Sequence, residues 1–267
     1  MEVNMDEHRV LLVGEANFSF TLALLNFCRH DPPTTPHITT SCYESREEAV
    51  RKYGAALVTA NLDALAARKC ANVLFGVDAC NLRAHFGDSL KFHRIIFMFP
   101  HVGGKSNLRK NRALVESFLR SAREQLAAPD TAQRRSSSSS SCVYVTLAKG
   151  QGGTSFEEDP AKRNNNDSWR VNELAQNAGL ILTECEKLCE AKFPVYRSTG
   201  FRSQGKPFAT RSGLVHKFEV SLPIDDDYDD EHSSAEELAN LSKRFFQANA
   251  RLTRQDTIVH PFVQFKH

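Results

Sequence analysis

Apolar runs typical of β-strands alternate with amphipathic helical patterns along this chain of 267 residues, and the last two strand-like runs come in succession. Continuous apolar runs suit parallel strands that are buried on both faces, with the helices as crossover connections. The pattern predicts an α/β protein with a mostly parallel, doubly wound, seven-stranded sheet that ends in an antiparallel hairpin. The predicted strands lie at 10–13, 37–45, 72–79, 92–100, 142–148, 180–188 and 213–222.

Several helix ends carry their own signals. Ser45 and Glu48 have the spacing of a capping box, which opens the helix after the second strand, and Gly54 closes that helix. Asp167 is the expected N-cap of the helix before the sixth strand, with Gly179 as its C-terminal stop. These signals support the alternation of strands and helices independently of hydrophobic periodicity.

Composition divides the chain into two parts. We expect a folded domain over 1–223, with a disordered surface insertion near 130–141, where six consecutive serines stand. An acidic linker and a C-terminal helix follow over 224–267. Ser234 and Glu237 form a capping box for that helix, which we expect to dock on the domain or to bind a protein partner.

Composition also excludes several classes of protein. A net charge of +2 is too small for bulk attraction to nucleic acid, so any such contact requires a local basic patch. The seven cysteines include no C-x-x-C pair, which predicts reduced thiols and no metal site. No apolar stretch approaches the roughly 20 residues of a membrane span, and the acidic N-terminus does not resemble a signal peptide. We therefore expect an intracellular protein that is neither secreted nor membrane-bound.

The turn after the first strand has the sequence GEANFS, over 14–19. Ligands of open parallel sheets bind at the carboxyl ends of the strands. A dinucleotide site would require G-x-G-x-x-G here, whereas Glu15 would repel a pyrophosphate. The same carboxylate attracts the ammonium or sulfonium of a ligand such as S-adenosylmethionine. A dinucleotide-dependent oxidoreductase is therefore disfavoured.

Two further acids follow the next two predicted strands. Glu44 stands where a carboxylate accepts hydrogen bonds from both ribose hydroxyls of a nucleoside. Asp78 stands where it can accept from an adenine amino group. Acids at strand ends also serve as helix caps, and that alternative stays open for each residue taken singly. Three acids at three consecutive strand ends favour a ligand site.

The fourth predicted strand ends in FMFPHVGGK. A proline followed by a polar residue at this point is typical of methyltransferases that modify a planar nitrogen, and His101 can exchange protons near neutral pH. His101 is therefore a candidate catalytic base with Pro100 beside it, or alternatively a hydrogen-bonded scaffold residue. Phe99 and Gly103 are candidates for positioning a base. The basic residues that follow suit a phosphate backbone or an ordinary solvated helix start; those assigned to substrate are Lys105, Arg109 and Arg112.

Four separated segments resemble a known family. LLVGEANFSFTLAL, FPHVGGKSNLRKNRALVESFLRSA, VYVTLAKGQGGTSF and SWRVNELAQNAGLIL are similar, in this order, to the large-subunit rRNA (uridine-N3)-methyltransferase-like domain. The same domain forms the front part of the ferredoxin-fold anticodon-binding domain-containing proteins. The resemblance covers 9–222 and implies a Rossmann-like class I methyltransferase with S-adenosylmethionine as donor. It further implies rRNA as partner and a nucleolar or cytoplasmic location in rRNA processing.

The resemblance also implies which residues bind the donor. The first motif of the family, glycine, glutamate, glycine, asparagine or aspartate, phenylalanine and serine, maps onto Gly14, Glu15, Ala16, Asn17, Phe18 and Ser19. Ala16 replaces a glycine, and its methyl group fits if the backbone has negative φ but crowds the donor if φ is positive. The alternative function is a catalytically inactive methyltransferase-like module that binds RNA or protein. The segment after Pro223 is shorter than the roughly 90 residues expected of an anticodon-binding domain, so we expect a stand-alone enzyme or a shortened relative.

Overall fold

A computed structural model describes residues 9–28, 37–68, 71–103, 107–128, 141–155, 167–199, 210 and 212–220. The predicted serine-rich insertion, apart from Ser141, and the whole segment over 224–267 lie outside these residues. The domain boundary near Pro223, the disorder of the insertion and the C-terminal helix therefore remain predictions.

Seven strands form one sheet in the described part of the chain, in the order β3-β2-β1-β4-β5-β7-β6. The first five strands pair in parallel, whereas β7 runs antiparallel to both β5 and β6. This confirms the predicted parallel sheet with its terminal antiparallel hairpin. The strands are β1 Arg9–Val13, β2 His37–Ser41, β3 Ala71–Leu74, β4 Arg94–Met98, β5 Cys142–Leu147, β6 Leu180–Lys187 and β7 Leu214–Val220.

Helices connect the strands and cover the sheet. They are α1 Ser19–Cys28, α2 Arg46–Tyr53, α3 Ala55–Arg68, α4 Leu82–Phe86, α5 Leu108–Gln125 and α6 Val171–Asn177. Leu11 and Val13 of β1 join the core that α5 and α6 build on one face of the sheet. Val10 and Leu12, which point to the opposite face, are buried as well. Burial on both faces explains why the central strands read as continuous apolar runs.

The local signals were correct at some helix ends and wrong at others. The Ser45 hydroxyl and the Glu48 carboxylate form the predicted capping box of α2, and Gly179 has a φ of 72° after α6. Asp167 is not the N-cap of α6, because the helix begins only at Val171 and the cap position is held by Arg170 with left-handed backbone. The third strand ends at Leu74 rather than near residue 78.

Candidate active site

A cleft with a volume of about 500 Å³ opens beyond the carboxyl ends of the parallel strands. The turns after β1 to β4 form its walls, together with a segment between β6 and β7 that we call the strap, Phe193–Thr199. This is the position at which wound sheets bind ligands. The sequence-predicted site residues that line the cleft are Gly14, Glu15, Ala16, Asn17, Glu44, Asp78, Phe99, His101 and Gly103.

The turn after β1 brings its backbone close to the fourth strand. Gly14 has a φ of 66°, and a Cβ atom there would lie 2.3 Å from the Phe97 ring. Only glycine fits this position without strain and without moving the ring. Ala16 lines the cleft and does not have a positive φ, so its methyl group imposes no left-handed strain. Ala16 therefore has the backbone geometry in which its methyl group fits.

The carboxyl group of Glu15 lies at the start of α1. Glu15 is 6% exposed, and one carboxylate oxygen accepts from both the backbone N–H and the hydroxyl of Thr21, each at 3.3 Å. Burial raises the pKa of Glu15 to about 7, although the hydrogen bonds from Thr21 and from the backbone of Phe20 lower it. The acid is therefore held at the cleft wall near its own titration midpoint at neutral pH.

The next motif residues hold the strap. The Asn17 side chain donates to the carbonyl of Arg197 at 2.8 Å, and the Ser19 hydroxyl donates to the same carbonyl at 3.0 Å. Phe18 has a φ of 61° and is fully buried, with its ring edge-to-face against Phe75. Phe18 and Ser19 are not among the described residues that line the cleft.

Glu44 has the most polar surroundings of the three acids. Its carboxylate accepts hydrogen bonds from the Lys52 ammonium and, at 2.7 Å, from the Tyr53 hydroxyl. Burial raises the pKa of Glu44, but the bonds from Lys52 and Tyr53 outweigh it, and the pKa lies below its usual value. Glu44 is therefore ionised at neutral pH and fixed at the cleft wall.

Asp78 both lines the cleft and caps a turn. Its carboxylate accepts from the backbone N–H of Cys80 at 2.8 Å, which begins a single 3₁₀ turn over Ala79–Asn81. The structure therefore realises the capping role that the sequence left open, and the carboxyl group still belongs to the cleft.

The segment after β4 forms a further part of the cleft wall. Phe99 has a φ of 49°, an uncommon conformation for a bulky residue, and it lines the cleft together with His101 and Gly103. Pro100 is buried and is not among the described lining residues. The ring of His101 packs edge-to-face against Trp169, with centroids 5.0 Å apart. Burial lowers the pKa of His101, and a hydrogen bond to the Phe99 carbonyl partly opposes it.

The predicted phosphate-binding residues lie in different places. Arg109 is exposed on the first turn of α5, whereas the Arg112 guanidinium donates through Nε to the Ser168 carbonyl at 3.0 Å. Arg112 therefore fastens α5 to the segment before α6. Lys105 lies outside the described residues.

Some residues at the cleft were missed by the sequence interpretation. Lys52 and Tyr53 were read only as part of a helix, yet they orient Glu44. The Asn111 side chain, 1% exposed, accepts from the backbone N–H of Val102 at 2.9 Å and so holds the loop that carries His101. A buried asparagine on the apolar side of an amphipathic helix was the available signal for that role.

Within the described residues, no group of three or more His, Cys, Asp or Glu side chains is arranged to hold a metal ion. The helices of the same part of the chain also include none with the length and apolarity that crossing a membrane requires.

The strand order, the antiparallel β7 and a cleft walled by acids at strand ends define the class of the protein. It has the Rossmann-like fold of class I S-adenosylmethionine-dependent methyltransferases. Residues 11–200 match the family described as rRNA (uridine-N3-)-methyltransferase BTM5-like, and the chain belongs to this family. The predicted family is thereby confirmed.

Two curated mammalian relatives are similar over most of this chain. The ferredoxin-fold anticodon-binding domain-containing protein 1 homolog of Mus musculus is 37% identical over 219 residues, which cover 81% of this chain and 32% of that protein. The ferredoxin-fold anticodon-binding domain-containing protein 1 of Homo sapiens is 36% identical over 222 residues, which cover 83% of this chain and 32% of that protein. The chain thus spans about a third of the length of these relatives. Among solved structures, the 16S rRNA methyltransferase KamB is 15% identical with a TM-score of 0.44, covering 81% of this chain and 89% of that one.

Proposed function

We propose that this protein transfers a methyl group from S-adenosylmethionine to N3 of an unpaired uridine in large-subunit ribosomal RNA. The observation that carries the proposal is the convergence of Glu15, Glu44, Asp78 and His101 on one cleft. They come from the ends of four different strands in a chain of a uridine-N3 family. The proposed setting is accordingly rRNA base methylation in the nucleolus or cytoplasm.

The chemistry of the acids supports S-adenosylmethionine as the donor. A cleft of about 500 Å³ falls in the range that small-ligand sites occupy. Glu15 would attract the cationic end of the donor, and the ionised Glu44 would accept from the ribose hydroxyls. Asp78 would accept from the adenine amino group. When bound, the donor supplies an electrophilic methyl group on a sulfonium.

The other end of the cleft supports a planar base as the acceptor. Phe99 lines it beside His101, so an entering base would meet an aromatic side chain. Because N3 lies on the pairing edge of uridine, the nucleotide must be unpaired or flipped out of a helix. Arg109, exposed at the start of α5, is the described basic residue proposed to contact the phosphate backbone.

In the proposed reaction, the N3 proton of uridine leaves to the imidazole of His101 and then to solvent. The electron pair left on N3 forms the new N–C bond, while the pair of the broken C–S bond stays on sulfur as a thioether. The protein contributes mainly alignment of the two reactants and removal of the proton. Neutral His101 is needed for this role, and the burial that lowers its pKa favours the neutral form.

Mass spectrometry of RNA nucleosides tests the proposal. Ribosomal RNA from cells with and without the protein would be digested and analysed for 3-methyluridine, and the purified full chain would be assayed with the same RNA. We expect 3-methyluridine only where the protein is present. Donor binding without any methylated nucleoside would instead support the binding module, and NAD binding would contradict the class of reaction.

A matched pair of variants tests the donor site. Glu44→Gln keeps the shape of the side chain but removes the charge that faces the ribose, and charge-assisted hydrogen bonds contribute about 1.5–3 kcal/mol each. We expect calorimetry to show donor affinity reduced by about tenfold or more. Glu47→Gln makes the same change on the exposed first turn of α2 and should leave affinity unchanged. Equal affinities for the two variants would contradict the assignment of Glu44.

A further inference from the structure

Both ring nitrogens of His101 face polar atoms. Nδ1 lies 3.4 Å from the carbonyl oxygen of Phe99, and Nε2 lies 3.4 Å from the side-chain nitrogen of Gln151. The ring also packs against Trp169. These three neighbours come from the ends of β4 and β5 and from the segment before α6, so the ring is fixed from several elements.

The loop that carries Gln151 is itself firmly held. The backbone N–H of Trp169 donates to the Gln151 carbonyl at 2.6 Å, and the N–H of Val171 donates to the Gly152 carbonyl at 2.9 Å. A Cβ atom on Gly153 would lie 2.2 Å from the Ser168 hydroxyl oxygen. The glycine-rich loop after β5 is therefore packed tightly against the chain before α6, and the position of Gln151 follows from that packing.

The orientation of the Gln151 amide is determined by a second contact. Its Oε1 accepts from the backbone N–H of Ala148 at 3.0 Å. Because an N–H requires an acceptor, the amide oxygen must face Ala148 and the amide nitrogen must face His101. An amide nitrogen can only donate, so Nε2 of His101 is the acceptor and carries the lone pair. The proton of the neutral ring is then on Nδ1, where the Phe99 carbonyl accepts it.

We propose that Gln151 is a positioning residue that holds His101 as a neutral imidazole with its proton on Nδ1 and its basic lone pair on Nε2. For catalysis this rests on the proposed function, because it prepares Nε2 to take the uridine proton. A bond of 3.4 Å is weak, so an entering base can displace it. A protonated ring would place two donors face to face, and Gln151 therefore opposes the imidazolium form.

The surroundings of His101 are consistent with this control. Burial lowers the pKa of His101 in the same direction as the facing amide, and the Phe99 carbonyl opposes it. Burial is the larger of these two causes. Replacement of Gln151 should thus have a measurable effect on both the tautomer and the protonation of the ring.

Nuclear magnetic resonance of the full chain, labelled with ¹⁵N at histidine, tests the proposal without RNA or donor. The His101 signals would be assigned by their loss in His101→Gln. We expect the wild-type ring to be neutral at pH 7 with the proton on Nδ1. Gln151→Leu should populate the Nε2–H form, and Gln151→Glu, which offers an acceptor, should raise the pKa of His101 by about one unit, a tenfold gain in proton affinity.

Gln176→Leu makes the same change on the exposed side of α6 and should leave the His101 signals unchanged. A wild-type proton on Nε2, or the same signals in Gln151→Leu as in the wild type, would overturn the proposal. If Gln151→Leu does not fold, the wild-type tautomer and the nearly isosteric Gln151→Glu still decide the question. Failure to find 3-methyluridine would count against the proposed function and leave this inference standing.

Discussion

The hydroxyl of Ser19 makes two hydrogen bonds with the backbone of Arg197, donating to its carbonyl at 3.0 Å and accepting from its N–H at 2.9 Å. The two residues are 178 positions apart in the chain. Aromatic contacts of Phe20 with Phe193 and Tyr196, with ring centroids 5.3 Å apart in each pair, continue the attachment. The strap is thus fastened to the start of α1, where the Glu15 carboxylate also accepts a hydrogen bond from Thr21.

We expect Ser19→Ala to loosen the strap. The substitution removes two hydrogen bonds from the backbone of Arg197, whose carbonyl keeps only the donor Asn17, and each hydrogen bond contributes about 0.5–1.5 kcal/mol. Hydrogen exchange of the peptide that contains Tyr196 and Arg197 should accelerate by about tenfold or more, as measured by mass spectrometry.

Ser45→Ala is the matched control for the strap. It removes the hydroxyl that caps α2 and should accelerate exchange in that helix while leaving the strap peptide unchanged. Unchanged exchange of the strap in Ser19→Ala would show that the strap is held by its aromatic contacts instead.

Gly14→Ala should destabilise the protein more than Gly76→Ala. Both glycines have positive φ, 66° and 70°, so alanine meets similar backbone strain at each position. A Cβ on Gly14 would lie 2.3 Å from the Phe97 ring, whereas nothing lies within 4 Å of one on Gly76. Overpacking costs about 1–3 kcal/mol, so urea denaturation should show a difference of that size between the variants. In a Phe97→Leu background, this difference in stability between Gly14→Ala and Gly76→Ala should be smaller. Equal losses of stability in the two alanine variants would mean that the Phe97 ring moves freely.

The fold was predictable because its signals are local. Each central strand is buried on both faces and is therefore a continuous apolar run, and the capping box of α2 lies within four residues. The sequence pattern does not predict the helix α4, because its five residues are too few to show a helical period. Asp167 was misread because the chain enters α6 through Arg170 in a left-handed conformation, which no side-chain cap accompanies.

The site was predictable only as far as strand ends determine it. Parallel strands end at one edge, so acids that follow β1, β2 and β3 converge without any long-range information. The partners of these acids and of His101 were not predictable, because contacts such as that between His101 and Gln151 join residues 50 positions apart. Asn17 and Ser19 show the same limit, since the motif identifies them but not the strap that they bind.

His216 should make the protein less stable in acid. Its ring is fully buried in β7, and burial lowers its pKa from 6.5 to about 4 although the carbonyls of Val145 and Leu214 oppose this. Between these two values the unfolded chain binds more protons than the native state, so stability is complete above pH 6.5 and falls as the pH drops towards 4. The total loss is about 3 kcal/mol, from about 1.4 kcal/mol per pKa unit.

Denaturation at several pH values measures this effect of His216. The stability of wild type relative to His216→Leu should decrease from pH 6.5 to pH 4.5. The exposed His37 on β2 provides the control. The stability of wild type relative to His37→Leu should not decrease over the same pH range. A constant difference between wild type and His216→Leu would mean that the native ring accepts a proton as readily as the unfolded one.

Glu15 should have the opposite pH dependence. Its native pKa is about 7 because of burial, against 4.5 for an ordinary glutamate, so the native state binds more protons than the unfolded chain between these values. Stability therefore falls as the pH rises from 4.5 to 7 and is constant above that, with a total of about 3 kcal/mol. In the wild type this trend opposes that of His216 between pH 4.5 and 6.5, and the two mask each other.

The variant Glu15→Gln separates the pH dependence of Glu15 from that of His216, because the amide keeps the size of the side chain and cannot ionise. The variant should gain stability relative to wild type as the pH rises from 5 to 7, whereas the exposed Glu47→Gln should track the wild type throughout. If a cationic donor binds beside Glu15, it favours the ionised form, so donor binding to wild type near pH 6.5 should release protons, seen by calorimetry in buffers of different ionisation enthalpy. The absence of proton release in wild type, or the same release in Glu15→Gln, would place the cationic group of the donor away from this carboxylate.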